Sequence, residues 1–555
     1  MTATAHRHRA AVAVPRERRG ALTGTGTLLL FMLRRDRLHG PAWVLGMTVM
    51  LGYFANALGL VLGEDSLQSF AVFAANPVVA LIGGPGYGFD HITTARFLVG
   101  LYGGYLMIGA ALMSIMTISR HTRVEEQTGR AELVRADVVG RHAQLAAALI
   151  LVVAMNLLAS VLMALVFQFS PTDPGSFVSS LLFTSSIGAV GLVFAGVTAV
   201  TVQLSPYSRA ASGIAGAVLA AGFVVRGLGD MSRAQGGDLD RLSWLSPFGW
   251  SQQTAPLTLD RWWPLAISIA VAVLLTLAGF ALQSRRDLAA GILPDRLGSA
   301  TAPGWLRSAL TLAFRLQRSS LAWWSLAMLL AGITFGAFVQ PMAANAQGMP
   351  PEMLAIFGGA DAMVDGYLGF MSIYYAIMIA VSAILSVQAL RSEEQGGRTE
   401  PVLAAAVSRT RWLFSWVLVT ALGSLWLLAL AGLGSGLGAT VSTGDASLFA
   451  PTVLGSIVQT PTIWALLGLA VAWYGLAPRL IGITWAVFVY AALLSLFGDM
   501  MEFDDAVLAT SVFRHIGQYP AEDISWGAVG VIIAVAVVLV AIGAAGFRRR
   551  DLTTA

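Results

Sequence analysis

Arg123-Val124-Glu125-Glu126-Gln127-Thr128-Gly129-Arg130-Ala131-Glu132 occurs a second time in the chain, as Arg391-Ser392-Glu393-Glu394-Gln395-Gly396-Gly397-Arg398-Thr399-Glu400. The offset is 268 residues, close to half of the 555, and extended to Arg141 and Arg409 the copies match at 11 of 19 positions. Each copy follows one long apolar segment and precedes another. A charged stretch repeated between apolar spans reads as a docking surface for a soluble partner. Setting topology would require only arginine, not a matched Glu-Glu-Gln-x-Gly-Arg-x-Glu in both halves.

The sequence around the repeat is that of a membrane protein: 56% of residues are hydrophobic and only 12% charged, against about a quarter charged in soluble domains. Cysteine is absent, so no disulfide forms. Lysine is absent too, and all 34 basic residues are arginine. A Walker A loop needs a lysine on the nucleotide phosphates, and a Schiff-base enzyme needs one as nucleophile. The chain therefore carries no ordinary P-loop ATPase. High alanine and glycine content suits a GC-rich bacterial genome.

A membrane span needs about 20 apolar residues. Six are expected in the first half, at 41–62, 97–117, 143–168, 178–202, 211–228 and 263–283, and six in the second, at 322–344, 367–388, 412–437, 451–474, 480–498 and 526–546. With the N-terminus inside, 28 of 34 arginines fall on cytoplasmic segments, five outside and one, Arg226, in a span. This follows the positive-inside rule and predicts an inner-membrane protein with both termini cytoplasmic. No secretory signal pattern opens the chain. Residues 1–27 are expected as a disordered cytoplasmic arm, and 28–37 as an interfacial helix broken from the first span at Gly40-Pro41.

The duplication runs through the whole chain. Arg34, Arg37, Trp43 and Met47 match Arg315, Arg318, Trp324 and Met328, and Gly229-Asp230-Met231 matches Gly498-Asp499-Met500. Arg285-Arg286-Asp287-Leu288 matches Arg549-Arg550-Asp551-Leu552. Six spans per half is an even number, so the halves are parallel repeats. The expected division is a transmembrane half over 28–283, a cytoplasmic linker over 284–308 with Pro294 and Pro303, a second half over 309–546 with an interfacial helix at 309–318, and a tail over 547–555.

Within the repeat, Glu126 and Arg130, like Glu394 and Arg398, are four apart and would be neighbours on one helix. Gly129 and Gly396-Gly397 instead predict that the helix ends there. A second short helix then starts near Arg130 and Arg398, with Glu132 and Glu400 in its first turn.

Twelve spans in two parallel halves, an interfacial helix before each first span and this loop after each second span resemble the fused permeases of bacterial ABC exporters. In particular, the chain resembles the polyketide-antibiotic (tetronasin-type) exporter permeases. The fold implied is that of a type-2 ABC exporter. Ala404 to Arg409 fits the small-residue and Val-Ser-Arg continuation of related half-size permeases. The first copy departs from it, with Arg135, Asp137 and Gly140 in place of Leu403, Ala405 and Ser408. The resemblance implies two copies of a separate ATP-binding subunit docked on the loops, coupled through Glu125, Glu126, Gly129, Arg130 and Glu132 and through Glu393, Glu394, Gly397, Arg398 and Glu400. It implies export of hydrophobic compounds such as antibiotics, with ATP and magnesium bound by the partner and no cofactor, metal or nucleic acid bound by this chain.

Tyr102, Tyr105 and Met113, then Phe370, Tyr374 and Tyr375, are candidates for the substrate cavity, since aromatic and methionine side chains suit a large, variable apolar ligand. Asn56 and Asn156 are candidate polar contacts between helices. Arg226 is flagged as an ionisable group within a span and has Asp230 as its local partner. Two other functions are weighed. An ion-coupled secondary transporter calls for acids within the spans, and the spans contain none. A membrane-embedded transferase calls for an acid, base or metal cluster, and His91, His121, His142 and His515 show no ligand spacing.

Overall fold

Backbone that crosses a bilayer has no water to bond to, so these apolar runs close their own hydrogen bonds as helices. The computed structural model describes residues 20–61, 77–135, 139–293, 298–344, 346, 354, 357–359, 362–498 and 503–552. Among the described residues there are twelve helices long and apolar enough to cross a membrane, and no strand. The protein is an all-helical, multi-pass membrane protein. The arm before residue 20, Asp137, Pro294, Asp499 and Met500 lie outside the described residues. The chain divides into two compact units, residues 1–297 and 298–555, with the border inside the expected linker.

The first unit opens with a short helix, α1 (Thr25–Arg35), followed by α2 (His39–Val61). The break between them lies at Asp36–Leu38, not at Gly40-Pro41. Pro41 sits in the first turn of α2, where proline's missing N–H breaks no helical bond. Next come α3 (Thr94–His121), the short α4 (Arg123–Gln127) and α5 (Arg130–Arg135), then α6 (Ala143–Gln168), α7 (Phe177–Leu204), α8 (Ser208–Ala234) and α9 (Trp263–Gln283). The most buried of these spans is α7, which packs against α3, α6 and α9. Asn156 of α6 bridges helices as expected: its amide donates to Ser114 Oγ of α3 (3.1 Å) and packs on Gly191 of α7. Among the described residues Asn56 bonds along its own helix, to the Gly52 carbonyl.

The second unit contains α10 (Ala309–Ala337), α11 (Met363–Gln395), α12 (Thr399–Ala404), α13 (Arg409–Thr443), α14 (Phe449–Val458), α15 (Thr460–Leu476), α16 (Ile483–Phe497) and α17 (Trp526–Arg549). Residues 309–318 are not a separate interfacial helix. They form the first third of the continuous α10, because no glycine or proline interrupts Ala309 to Leu330. Helices α10 and α13 cross backbone to backbone. A Cβ at Gly332 would stand 2.3 Å from the Ala431 carbonyl, and one at Gly336 2.1 Å from that of Ser435. Gly434 and Gly438 meet the Leu329 and Ile333 carbonyls in the same way. This is small-residue packing of the kind membrane helices use when burial of apolar surface cannot drive association.

Candidate functional site

The repeated sequence builds the same turn twice. Helix α4 ends at Gln127, Gly129 takes φ +73°, and α5 begins at Arg130. Helix α11 ends at Gln395, Gly397 takes φ +69°, and α12 begins at Thr399. Glycine suits this left-handed region. In the second copy the Gly397 N–H donates to the Glu394 carbonyl (3.0 Å) and the Arg398 N–H to that of Glu393 (3.0 Å), the paired bonds of a glycine-capped helix end. The turn replaces the four-apart ion pairs with five-apart ones: Arg130 lies 3.8 Å from Glu125, and Arg398 2.7 Å from Glu393. The Glu393 hydrogen bond holds the Arg398 guanidinium pKa above its ordinary value.

The two consecutive glutamates of each copy face different ways. Glu126 is buried and takes a two-pronged contact from Arg286, just beyond α9: Nη2 to Oε1 at 2.7 Å and Nη1 to Oε2 at 2.9 Å. Arg123 adds a third bond at 2.8 Å. Glu394 is buried in the same way and takes both prongs of Arg550, just beyond α17, at 2.5 and 2.6 Å. Tyr474 of α15 donates to it at 2.6 Å. Burial opposes the Arg550 charge, but Glu394 outweighs it and raises the guanidinium pKa. Such forked arginine–carboxylate pairs fix geometry as well as charge.

The far end of each copy reaches the same place. Arg141 donates to the carbonyls of Gln283, Ser284 and Arg286 at 2.9–3.0 Å, capping the end of α9. Arg409 donates to the carbonyls of Phe547 and Arg550 at the end of α17. These partners went unassigned in the sequence, although the matched Arg-Arg-Asp-Leu after each last span was a signal for them.

The outward-facing members remain. Arg130 and Glu132 of the first copy, and Arg398 and Glu400 of the second, are exposed, as is Leu133. Glu125 sits between these groups and the unit's interior: Arg35 of α1 bonds it at 2.5 Å. The segment beside α1 is tied again, for Asp36 lies 2.6 Å from His121 Nε2 and 3.3 Å from Arg120. At the matched position of the second unit, Gln317 makes a neutral version, its oxygen accepting from Ser386 and Thr420 at 3.0 Å. A cavity of about 360 Å³ opens beside this cluster, lined by Asp36, His39, Trp43, Met116, Arg120 and Arg209 among others.

The cavity candidates are divided. Met113 and Tyr375 are fully buried. Tyr102 is half-buried in an aromatic cluster, its ring 4.4 Å from Phe54 and 6.4 Å from Tyr105, and Tyr105 is exposed. Phe370 packs on Phe357, and Tyr374 on Phe335. Arg226 has its expected partner in Asp230 (3.4 Å), also donates to the Ile82 carbonyl and is wholly buried. Among the described residues no group of three metal-ligating side chains comes together.

Comparison with known proteins agrees with this architecture. The family model described as "Multidrug efflux system permease Rv1217c, C-terminal domain" matches residues 26–282 and 306–548. The chain is 34% identical over 546 residues, 96% of each chain, to the multidrug efflux system permease protein Rv1217c of Mycobacterium tuberculosis. With twelve apolar helices in two repeated halves and a family match over both, the chain belongs to the Rv1217c family of efflux-system permeases and is a transport subunit rather than an enzyme.

Proposed function

We propose that this chain is the membrane-spanning subunit of an ATP-driven exporter of hydrophobic compounds, antibiotics among them, in a bacterial inner membrane. Two copies of a separate ATP-binding subunit dock from the cytoplasm on the two repeated loops. One observation carries the reading. In each half the helix that leads down from the second span, α4 or α11, stops before a left-handed glycine and is followed by a short helix whose acid, Glu132 or Glu400, is exposed while the preceding Glu126 or Glu394 is buried. A helix held from behind, with charge presented in front, suits a soluble partner. Closure of the ATP-binding subunits around ATP and magnesium pushes α5 and α12, and α3 and α11 tilt with them. Multidrug efflux, the activity in the relative's name, supports a hydrophobic substrate.

The test is co-purification of the chain with ATP-binding cassette subunits from the same organism, followed by reconstitution in liposomes. ATP-dependent accumulation of a lipophilic dye is expected. Failure of any ATP-binding subunit to bind the intact chain would overturn the reading.

A further inference from the structure

We infer that the clasp between the loop carboxylate and the arginine beyond the last span, Glu126–Arg286 in one half and Glu394–Arg550 in the other, makes α9 and α17 part of the lever that carries each docking helix; this rests on the proposed docking of an ATP-binding subunit.

Three observations lead there. The clasp joins residues 160 apart in the first half and 156 apart in the second, yet it has the same two-pronged geometry in both. Its surroundings differ. Arg286 also bonds Gln203 of α7 and Glu126 also bonds Arg123, whereas Glu394 bonds Tyr474 of α15. The halves thus share the pair itself rather than a common packing solution around it. The repeat also closes on the same helix end through Arg141 and Arg409, so each loop is strapped to its last span at two points.

Stability alone accounts poorly for this choice, because a buried ion pair is often no more stabilising than apolar side chains of similar volume. A fork that resists rotation and sliding does what a greasy contact cannot: it fixes the loop's position on a helix remote in sequence. A push on α5 then reaches α3 through the chain and α9 through the clasp. In the second half the same push on α12 reaches α11 and α17. Glu126, Arg286, Glu394 and Arg550 are therefore positioning residues for coupling.

The absence of cysteine makes the test clean. Spin labels on Thr128→Cys with Asp287→Cys, and separately on Gln395→Cys with Asp551→Cys, report the loop-to-last-span distance in the complex with its ATP-binding subunits. Each distance is expected to stay the same between the nucleotide-free and vanadate-trapped states. With Arg286→Lys or Arg550→Lys, which keep the charge but lose the fork, the distribution should broaden on trapping. Transport per ATP hydrolysed should fall roughly 5- to 150-fold, the range of coupling between linked sites, with the partner still bound. A loop-to-span distance that changes between states in the parent complex overturns the inference while leaving the proposed function intact. So does full coupling in an assembled complex carrying both lysine variants. If the parent chain binds no ATP-binding subunit, the functional reading itself fails, and the lever with it.

Discussion

Glu125 and Glu126 are neighbours in sequence but point about 100° apart around a helix, so that each is buried against a different arginine, Arg35 or Arg286. Nothing local distinguishes them. What buries Glu126 is the position of Arg286 at the end of α9, a tertiary fact. The repeat drew attention to the loop, and the glycine turn was legible in it. It did not show that Glu126 and Glu394 face inward while Glu132 and Glu400 face out. From that division, Glu132→Ala with Glu400→Ala should weaken capture of the ATP-binding subunit, because losing one partner of a desolvated charge pair costs about 2–5 kcal/mol. A pull-down at matched expression measures it, and unchanged recovery would remove these residues from the interface. Tyr474→Phe deletes one donor to the buried Glu394. It should lower stability by about 1–3 kcal/mol, seen as an earlier thermal unfolding midpoint with Arg550 still paired.

Helices were the most legible level, since twelve long apolar runs in lipid have few alternatives. The misreading at 309–318 has a specific cause. Matching arginines suggested a second interfacial helix, but the first half breaks around Asp36 and the second half offers no residue that would stop a helix between Arg315 and Leu330. The crossing of α10 and α13 was written plainly, as Gly332-x-x-x-Gly336 and Gly434-x-x-x-Gly438, and is a signal that hydropathy reading passes over. A side chain at Gly336 would meet backbone that cannot yield, whereas a Cβ at Gly46 of α2 meets nothing within 4 Å. Gly336→Ala should therefore destabilise by about 1–3 kcal/mol and Gly46→Ala hardly at all. Fluorescence size-exclusion profiles after heating distinguish them, and equal profiles would refute the close crossing.

For the whole molecule, the arginine distribution predicts an orientation. A membrane-impermeant maleimide should label Asp173→Cys on intact cells and Thr128→Cys only after the membrane is opened. The reverse pattern would place the repeated loops on the outside and end the docking model. The missing lysine predicts that the purified chain alone hydrolyses no ATP, as a phosphate-release assay would show. The clasp also bears on how the protein is made. Glu126 leaves the ribosome 160 residues before the arginine that locks it. At roughly 5–20 residues per second this is an interval on the order of ten to thirty seconds. Until α9 has been inserted, the first loop lacks its anchor, and the second waits likewise for α17. A partner that recognised only the anchored loop would pass over a nascent or truncated half.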